Sequence, residues 1–243
     1  MRKQNKFWLI ALIFALAAAA CCVGAFAAES KRKLPIYCVE REDKKVALTF
    51  DAAWGNEDTG DLIRILGEHD AKATFFVVGQ WVDKYPESVK ELHDAGHDVM
   101  NHSSTHPQCT QISRDKLVAE LEGCNDKIEA VTGVRPTLFR PPYGDYNDAV
   151  VETTESIGMK AIQWDVDSLD WKDLSADEIF NRVTSKVQPG SIILFHNAAK
   201  HTPEALPRIL DWLEENGYAP VKVQELLLEG DYYMDVTGKQ CKK

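Results

Sequence analysis

The sequence predicts an α/β barrel built from seven strand–helix units. Three observations carry that expectation. Short apolar runs such as Val46-Ala47-Leu48-Thr49-Phe50 and Ile192-Ile193-Leu194-Phe195 lack polar alternation, as strands buried on both faces do. A helical stretch follows each run, and strand–helix alternation means a parallel sheet with helical cover. Ionisable residues recur at the strand ends: Asp51, His102, Arg140, Asp165 with Asp167, and His196. In a barrel those ends share one mouth, so a closed barrel is preferred over an open doubly wound sheet.

The elements follow in order. Val46–Phe50 is the first strand. Asn56 to Glu68 is a helix with Leu62, Ile63 and Leu66 on one side and Asn56 as its cap. Ala73–Val78 is the second strand, and Pro86–Ala95 a helix closed by Gly96. Asp98–Asn101 is the third strand. Ser113 caps a long helix with Leu117, Leu121, Cys124, Ile128 and Val131 at helical spacing, ended by Gly133. Thr137–Arg140 is the fourth strand, stopped by Pro141-Pro142, and Asn147–Ile157 a helix ending at Gly158. Lys160–Asp165 is the fifth strand. Ser175 and Glu178 form a capping box before Ile179, Val183 and Val187. Ser191–Phe195 is the sixth strand. Thr202-Pro203 opens a helix through Leu213, closed by Gly217. Ala219–Val223 and Gln224–Leu228 supply the last strand and helix. Phe75, Phe76 and Trp164 read as core.

The bulk properties fit such a domain. A chain of 243 residues with 44% apolar content can bury a barrel-sized core. The net charge of −10 argues against a nucleic-acid partner and favours a neutral or cationic ligand over a polyanion. At the N-terminus, Arg2, Lys3 and Lys6 precede an uncharged run from Phe7 to Ala28. Spanning a bilayer takes about 20 apolar residues, so residues 1–28 read as a signal-anchor helix or as a signal peptide cleaved near Ala25-Phe26-Ala27. A lipid-modified Cys21 or Cys22 is a third option. The basic start stays inside, which places the body outside the cytoplasm, membrane-anchored or secreted. Residues 29–43 read as a charged linker, 44–228 as the domain and 229–243 as a tail. Cys38, Cys109, Cys124 and Cys241 allow three disulfide pairings, among them Cys109–Cys124 with Cys38–Cys241, or stay free thiols.

The chemistry centres on His102 and His106, two imidazoles four apart in the polar stretch Asn101–His106. They face one ion if the chain turns once between them. An imidazole pair suits zinc and its neighbours, although two ligands do not complete a site. Asp51 would ligate the ion or deprotonate a bound water. Arg140 would orient a carboxylate. His196 would protonate a leaving amine, with Asp167 or Asp170 holding its ring. This set hydrolyses an amide or ester.

Thr49-Phe50-Asp51, His102-Ser-Ser-Thr-His106, Arg140-Pro-Pro-Tyr-Gly144, Asp167-Ser-Leu-Asp170-Trp171 and Leu194-Phe-His196 resemble the five ordered motifs of the polysaccharide deacetylases of carbohydrate esterase family 4. The resemblance runs from about residue 44 to 223. It implies a distorted (β/α)7 barrel, here preceded by one N-terminal hydrophobic helix. It also implies removal of acetyl groups from peptidoglycan or chitin-like glycan with a divalent metal, usually zinc. By the same resemblance Asp51 is the general base, His102 and His106 bind the metal, and Arg140 holds Asp51. The Tyr143 N–H helps bind the oxyanion, His196 is the general acid tuned by Asp167, and Trp171 and Leu194 shape the acetyl pocket. The sequence departs from the pattern at Ala52, where the family has an aspartate that is the third metal ligand. That loss motivates an alternative: a catalytically impaired, glycan-binding member of the same fold. Trp54 beside it would stack on a sugar or simply pack. Glu57 and Asp58 are expected to stabilise a helix N-terminus, and His69, His93, His97 and His201 to be structural or on the surface. A zincin protease is a poor third reading, because Ser103 stands where its glutamate would be.

Overall fold

The computed structural model describes residues 32–243, and Lys33–Lys243 form one compact unit. The expected N-terminal helix lies outside the described residues. Among those described, no helix is long and apolar enough to cross a membrane.

The strands are β1 (Cys38–Val39), β2 (Lys45–Ala52), β3 (Thr74–Val77), β4 (Asp98–Asn101), β5 (Leu138–Phe139), β6 (Lys160–Ala161), β7 (Val166–Asp167), β8 (Ile192–His196), β9 (Ala219–Val221), β10 (Tyr232–Met234) and β11 (Lys239–Lys242). The main helices are α1 (Thr59–Glu68), α2 (Gly79–Lys84), α3 (Pro86–Asp94), α4 (Arg114–Thr132), α5 (Asp148–Ser156), α6 (Ala176–Thr184), α7 (Thr202–Glu215) and α8 (Val223–Leu226). Seven strands run β6-β5-β4-β3-β2-β8-β7, all parallel, and β9 pairs with the start of β2. The result is a curled, distorted (β/α)7 barrel, as expected. It is open between β6 and β7.

Side chains alternate across β2, so one strand feeds two cores. Val46, Leu48 and Phe50 pack outward with Leu62, Ile65 and Leu66 of α1 and with Ile209 and Leu213 of α7. Phe50 stacks between Phe75 and Phe195, with centroids 4.8 and 5.4 Å away. Burying a side chain of that kind contributes about 1.5–3 kcal/mol. Ala47 faces inward, where Phe76, Met100, Ile192 and Val223 fill the barrel.

Caps with a local signature formed where the sequence placed them. Ser113 accepts the Lys116 N–H, Ser175 and Glu178 close a capping box, and Gly133 ends α4 at φ 74°. Others moved. The Asn56 side chain donates to Ser88, and α1 begins at Thr59 after Asp58. The expected fifth strand, Lys160–Asp165, divides: Lys160–Ala161 pairs with β5, and the chain crosses the open seam before Val166–Asp167 pairs with β8. Asp165 therefore sits at the wrong end for the mouth. Its carboxylate accepts from Ser191 and the Ile192 N–H at the start of β8.

Within the expected linker and tail, residues 36–39 and 232–242 take ordered backbone hydrogen bonds and short strands. The Ile36 N–H donates to Ala161 at 2.9 Å, its carbonyl accepts from Gln163 at 2.7 Å, and the Val39 N–H donates to Gly190 at 2.9 Å. This segment laces the seam between β6 and β8, and β1 pairs with β11 of the C-terminal hairpin. Gly190, at φ 84°, has no room for a side chain, because a Cβ would lie 1.7 Å from the Val39 carbonyl oxygen. The four described cysteines are free and buried.

Candidate active site

Asp51, His102, His106, Tyr143, Trp164, Asp167, Trp171, Leu194 and His196 line one cavity of about 510 Å³ at the C-terminal ends of the strands, together with Trp54. Arg140 lies beneath it, fully buried. The residues named from the sequence therefore share one mouth, and Trp164, read as core, is part of its wall.

Asp51 is held from below. Arg140 Nη1 donates to Asp51 Oδ1 at 2.8 Å and to Thr49 Oγ1 at 2.9 Å, and Nη2 donates to the Gln163 carbonyl at 3.1 Å. The guanidinium lies over the Phe76 ring, 4.2 Å from its centroid. Burial alone would raise the Asp51 pKa. The Arg140 charge, together with the hydrogen bond its guanidinium donates, outweighs it and holds the carboxyl below its ordinary range. Asp51 is thus ionised, as a base must be.

His102 and His106 sit on a pinned loop rather than on a helical turn. Ser103 and His106 both take positive φ, 67° and 60°, strain that the surroundings must hold in place. Glu120 of α4, 1% exposed, accepts from Thr105 N and Oγ1 at 2.8 and 2.9 Å. The Asn101 side chain accepts the Ser103 N–H at 2.7 Å, and Ser103 Oγ accepts the His106 N–H at 3.0 Å. The loop presses on α4 so closely that a Cβ at Gly123 would lie 3.0 Å from Ser104 Oγ. Glu120 and Gly123 escaped the sequence reading because nothing local links them to the histidines.

The His102 tautomer follows from its partner. Nδ1 lies 2.7 Å from the Arg140 carbonyl oxygen, which can only accept. Nδ1 carries the proton, and Nε2 presents a lone pair 3.6 Å from Asp51 Oδ2. The His106 ring stands edge-on to that of His102 at 4.9 Å and to Tyr143 at 4.5 Å. Burial lowers the pKa of both histidines, pushing His106 down to about 4, so both are neutral donors near pH 7. The two imidazoles suit a divalent transition ion in kind. They fall short in number: among the described residues no group of three His, Cys, Asp or Glu is arranged to hold a metal. Ala52, fully buried at the end of β2, has no donor to add.

His196 is oriented by Asp170, not by Asp167. Asp170 Oδ1 accepts from His196 Nδ1 at 2.7 Å, and Oδ2 accepts from the His196 N–H and from Thr202 Oγ1, both at 2.8 Å. Burial would lower the His196 pKa, but its bond to Asp170 outweighs that and raises it above the ordinary value. Asp167 lines the cavity, and its carboxylate accepts the Leu169 N–H at 2.9 Å. The physical reason is reach. Asp167 lies in β7, level with Leu194, whereas Asp170 opens the following turn directly beside His196.

Asp58 stands at the N-cap of α1 but makes no side-chain cap bond there; its Oδ2 accepts the Ala198 N–H at 2.8 Å, tying the loop after β2 to the loop after β8. Tyr143, at φ 60°, Trp54 and Trp171 are exposed around the rim.

A parallel barrel thus carries at its mouth a buried carboxylate–arginine pair, a carboxylate-held histidine and two neutral histidines. The polysaccharide deacetylase family model matches residues 39–162, and the chain belongs to that family. It is 34% identical over 201 residues to the uncharacterized protein YlxY of Bacillus subtilis, covering 83% of this chain and 63% of that one. It is 36% identical over 188 residues to the peptidoglycan-N-acetylmuramic acid deacetylase PdaC of the same organism, covering 77% of this chain and 40% of the relative. The chain thus spans less than two thirds of either relative. Among solved structures it resembles wild-type BA3943 of Bacillus anthracis, a CE4 family pseudoenzyme, with TM-score 0.78 and 40% identity over 80% of this chain and 69% of that one. A BA3943 mutant with restored enzymatic activity matches with TM-score 0.78 and 41% identity, over 80% and 71% of the two chains.

Proposed function

We propose that this chain removes N-acetyl groups from cell-wall or chitin-like glycan, at N-acetylglucosamine or N-acetylmuramic acid units, outside the cytoplasm. The observation that carries the reading is the convergence of a held base, Asp51, and a held acid, His196, on the cavity that also contains His102 and His106. Those two histidines would hold a divalent ion, zinc by their donor type. Such an ion supplies Lewis acidity toward an acetyl carbonyl and its attacking water. The Asp51 carboxylate takes a proton from the water as its oxygen attacks the acetyl carbon. His196 then gives a proton to the amide nitrogen, the C–N bond breaks, and acetate and a free amine result. Arg140 keeps Asp51 ionised, and Asp170 keeps His196 protonated and aimed. Tyr143, Trp171 and Leu194 shape the space for the acetyl group.

A second reading is favoured by two observations: the missing third ligand at Ala52, and the likeness to a pseudoenzyme. In that reading the mouth binds glycan without turnover. Acetate release from N-acetylglucosamine oligomers and from peptidoglycan, with zinc added, separates the two. Deacetylation supports the first; glycan binding with no acetate at any metal concentration supports the second. The uncharged run from Phe7 to Ala28 motivates the extracytoplasmic location and membrane attachment if uncleaved, and fractionation of the full chain tests both.

A further inference from the structure

Asp51 and His196 stand opposite each other in the parallel ladder of β2 and β8. Neighbouring strands lie about 4.8 Å apart, so the ladder sets the distance between these two residues. Their rung is the last of β8, which ends at His196. Two residues on, Ala198 takes φ 54° and the chain turns away. End rungs of a sheet open most readily, because nothing beyond them holds the strands together. Arg140 and Asp170 do not prevent this. Arg140 holds Asp51 from below, and Asp170 holds His196 from the turn after β7, but neither joins one to the other.

Asn197 does join them. Its backbone N–H donates to the Asp51 carbonyl at 3.1 Å. Its side chain then takes over where the backbone of β8 leaves. Oδ1 accepts the Ala53 N–H at 3.3 Å, and Nδ2 donates to the Gly55 carbonyl. A carboxamide offers the same acceptor and donor as a peptide unit, so it stands in for the missing rung. Asn197 is 3% exposed, and hydrogen bonds shielded from water are stronger than exposed ones. Both ends of the bracket are pinned: Trp81 Nε1 donates to the Gly55 carbonyl at 2.9 Å, and Asp58 Oδ2 accepts the Ala198 N–H. On the other side of β2, the ladder with β3 reaches only to Ala52, whose carbonyl accepts the Val78 N–H. Residues 53–55 are thus held by the Asn197 amide and the Trp81 indole.

We infer that Asn197 is a positioning residue for proton transfer: its side-chain amide extends the β2–β8 ladder beyond Asp51 and His196 and so fixes the separation of base and acid. The catalytic consequence rests on the proposed deacetylase reading; the fixing itself needs no substrate. Separation matters because both groups serve one amide. Asp51 takes a proton from the attacking water, and His196 gives one to the leaving nitrogen. A substrate must lie within hydrogen-bond reach of both at once. Asn197 touches neither proton. It acts through the two residues that do.

The test uses the full chain and two variants. Asn197→Ala removes the amide. Asn197→Ser keeps a short hydroxyl that cannot span Ala53 and Gly55 together, and it carries the test if the alanine variant does not fold. In metal-free protein, NMR titration of the His196 ring with and without Asp51→Asn reads how strongly acid and base are coupled. With Asn197 in place, Asp51→Asn should lower the pKa of the ring, because the Asp51 charge raises it. With Asn197 altered, that drop should shrink to about half or less, since charges that separate and admit water couple more weakly. With zinc in excess, kcat for acetate release from N-acetylglucosamine oligomers should fall about 10²-fold, the cost of a misplacement of about 1 Å, with KM within about twofold. Zinc affinity should hold within the same factor, because His102 and His106 stand on the loop after β4. Undiminished coupling in both variants would overturn the inference, whatever becomes of acetate release. Matching losses in kcat and zinc affinity would also overturn it, as the mark of general loosening. No acetate from the unaltered chain at any zinc concentration would sink the deacetylase reading, and the ring titration would then decide on Asn197 alone.

Discussion

Two pairs of residues in the mouth, Asp51 with His196 and His102 with His106, are built differently. Asp51 and His196 each have a dedicated, buried charged partner, Arg140 and Asp170. Their pKa values are displaced in the directions that a base and an acid need. His102 and His106 are as firmly positioned, through the Arg140 carbonyl and Glu120, but as donors they stand two where a closed site needs more. Pre-organisation and ligand number are therefore separable here. On the proposed reading the mouth carries the acid–base groups and a two-histidine metal frame that is short of one ligand.

Substitutions can break or sharpen that contrast. The largest effect is expected at His102, where His102→Ala should abolish both metal binding and acetate release while leaving the melting temperature within a few degrees. Unchanged acetate release would remove the metal role. Next is Arg140→Ala, which strands Asp51 in a buried site. Breaking such a pair costs about 3–5 kcal/mol, so urea unfolding should show a loss of that size. A loss under 1 kcal/mol would mean that Asp51 is solvated in solution.

Asp170→Asn tests the acid side and should lower kcat/KM by about 10²-fold. Its signature is in pH. The folded pKa of His196 lies above the ordinary 6.5. The charged pair therefore stabilises the fold fully below about pH 6.5, and that contribution fades as pH rises through the folded value. Activity, which needs protonated His196, falls over the same range. In Asp170→Asn the alkaline limb should move to lower pH; an unmoved limb would show that another group is the acid. The smallest effect is expected from Glu120→Gln, which loosens the loop without touching a donor. Outer supports of this kind are worth about ten- to a hundredfold in metal affinity, and a change confined to metal affinity is the expected readout.

The sequence made some of this legible and hid the rest for identifiable reasons. Strands with unbroken apolar runs, the Ser113 cap and the Ser175–Glu178 box were readable, because their causes lie within a few residues. Asp51, His102, His106, Arg140 and His196 were readable because strand ends in a parallel barrel share a mouth. Asp170 could not be chosen over Asp167, since three residues of turn decide which carboxylate reaches His196. The seam-lacing role of Ile36–Val39 was hidden by its non-local pairing, Cys38 lying beside Lys239. Asn197 looked like an ordinary loop residue, and only the crossing of two loops revealed its hold on residues 51–55.

The most direct test of the account is a zinc titration of the unaltered chain alongside Ala52→Asp, with acetate release from N-acetylglucosamine oligomers followed in the same samples. A two-histidine site should bind zinc weakly and turn over only when zinc is in excess. Restoring a carboxylate at position 52 should tighten binding by about tenfold or more and raise acetate release, at some cost in melting temperature because that position is fully buried. Weak binding that Ala52→Asp leaves unchanged, with no acetate from either protein at saturating zinc, would contradict the claim that this mouth is a deacetylase site short of one ligand.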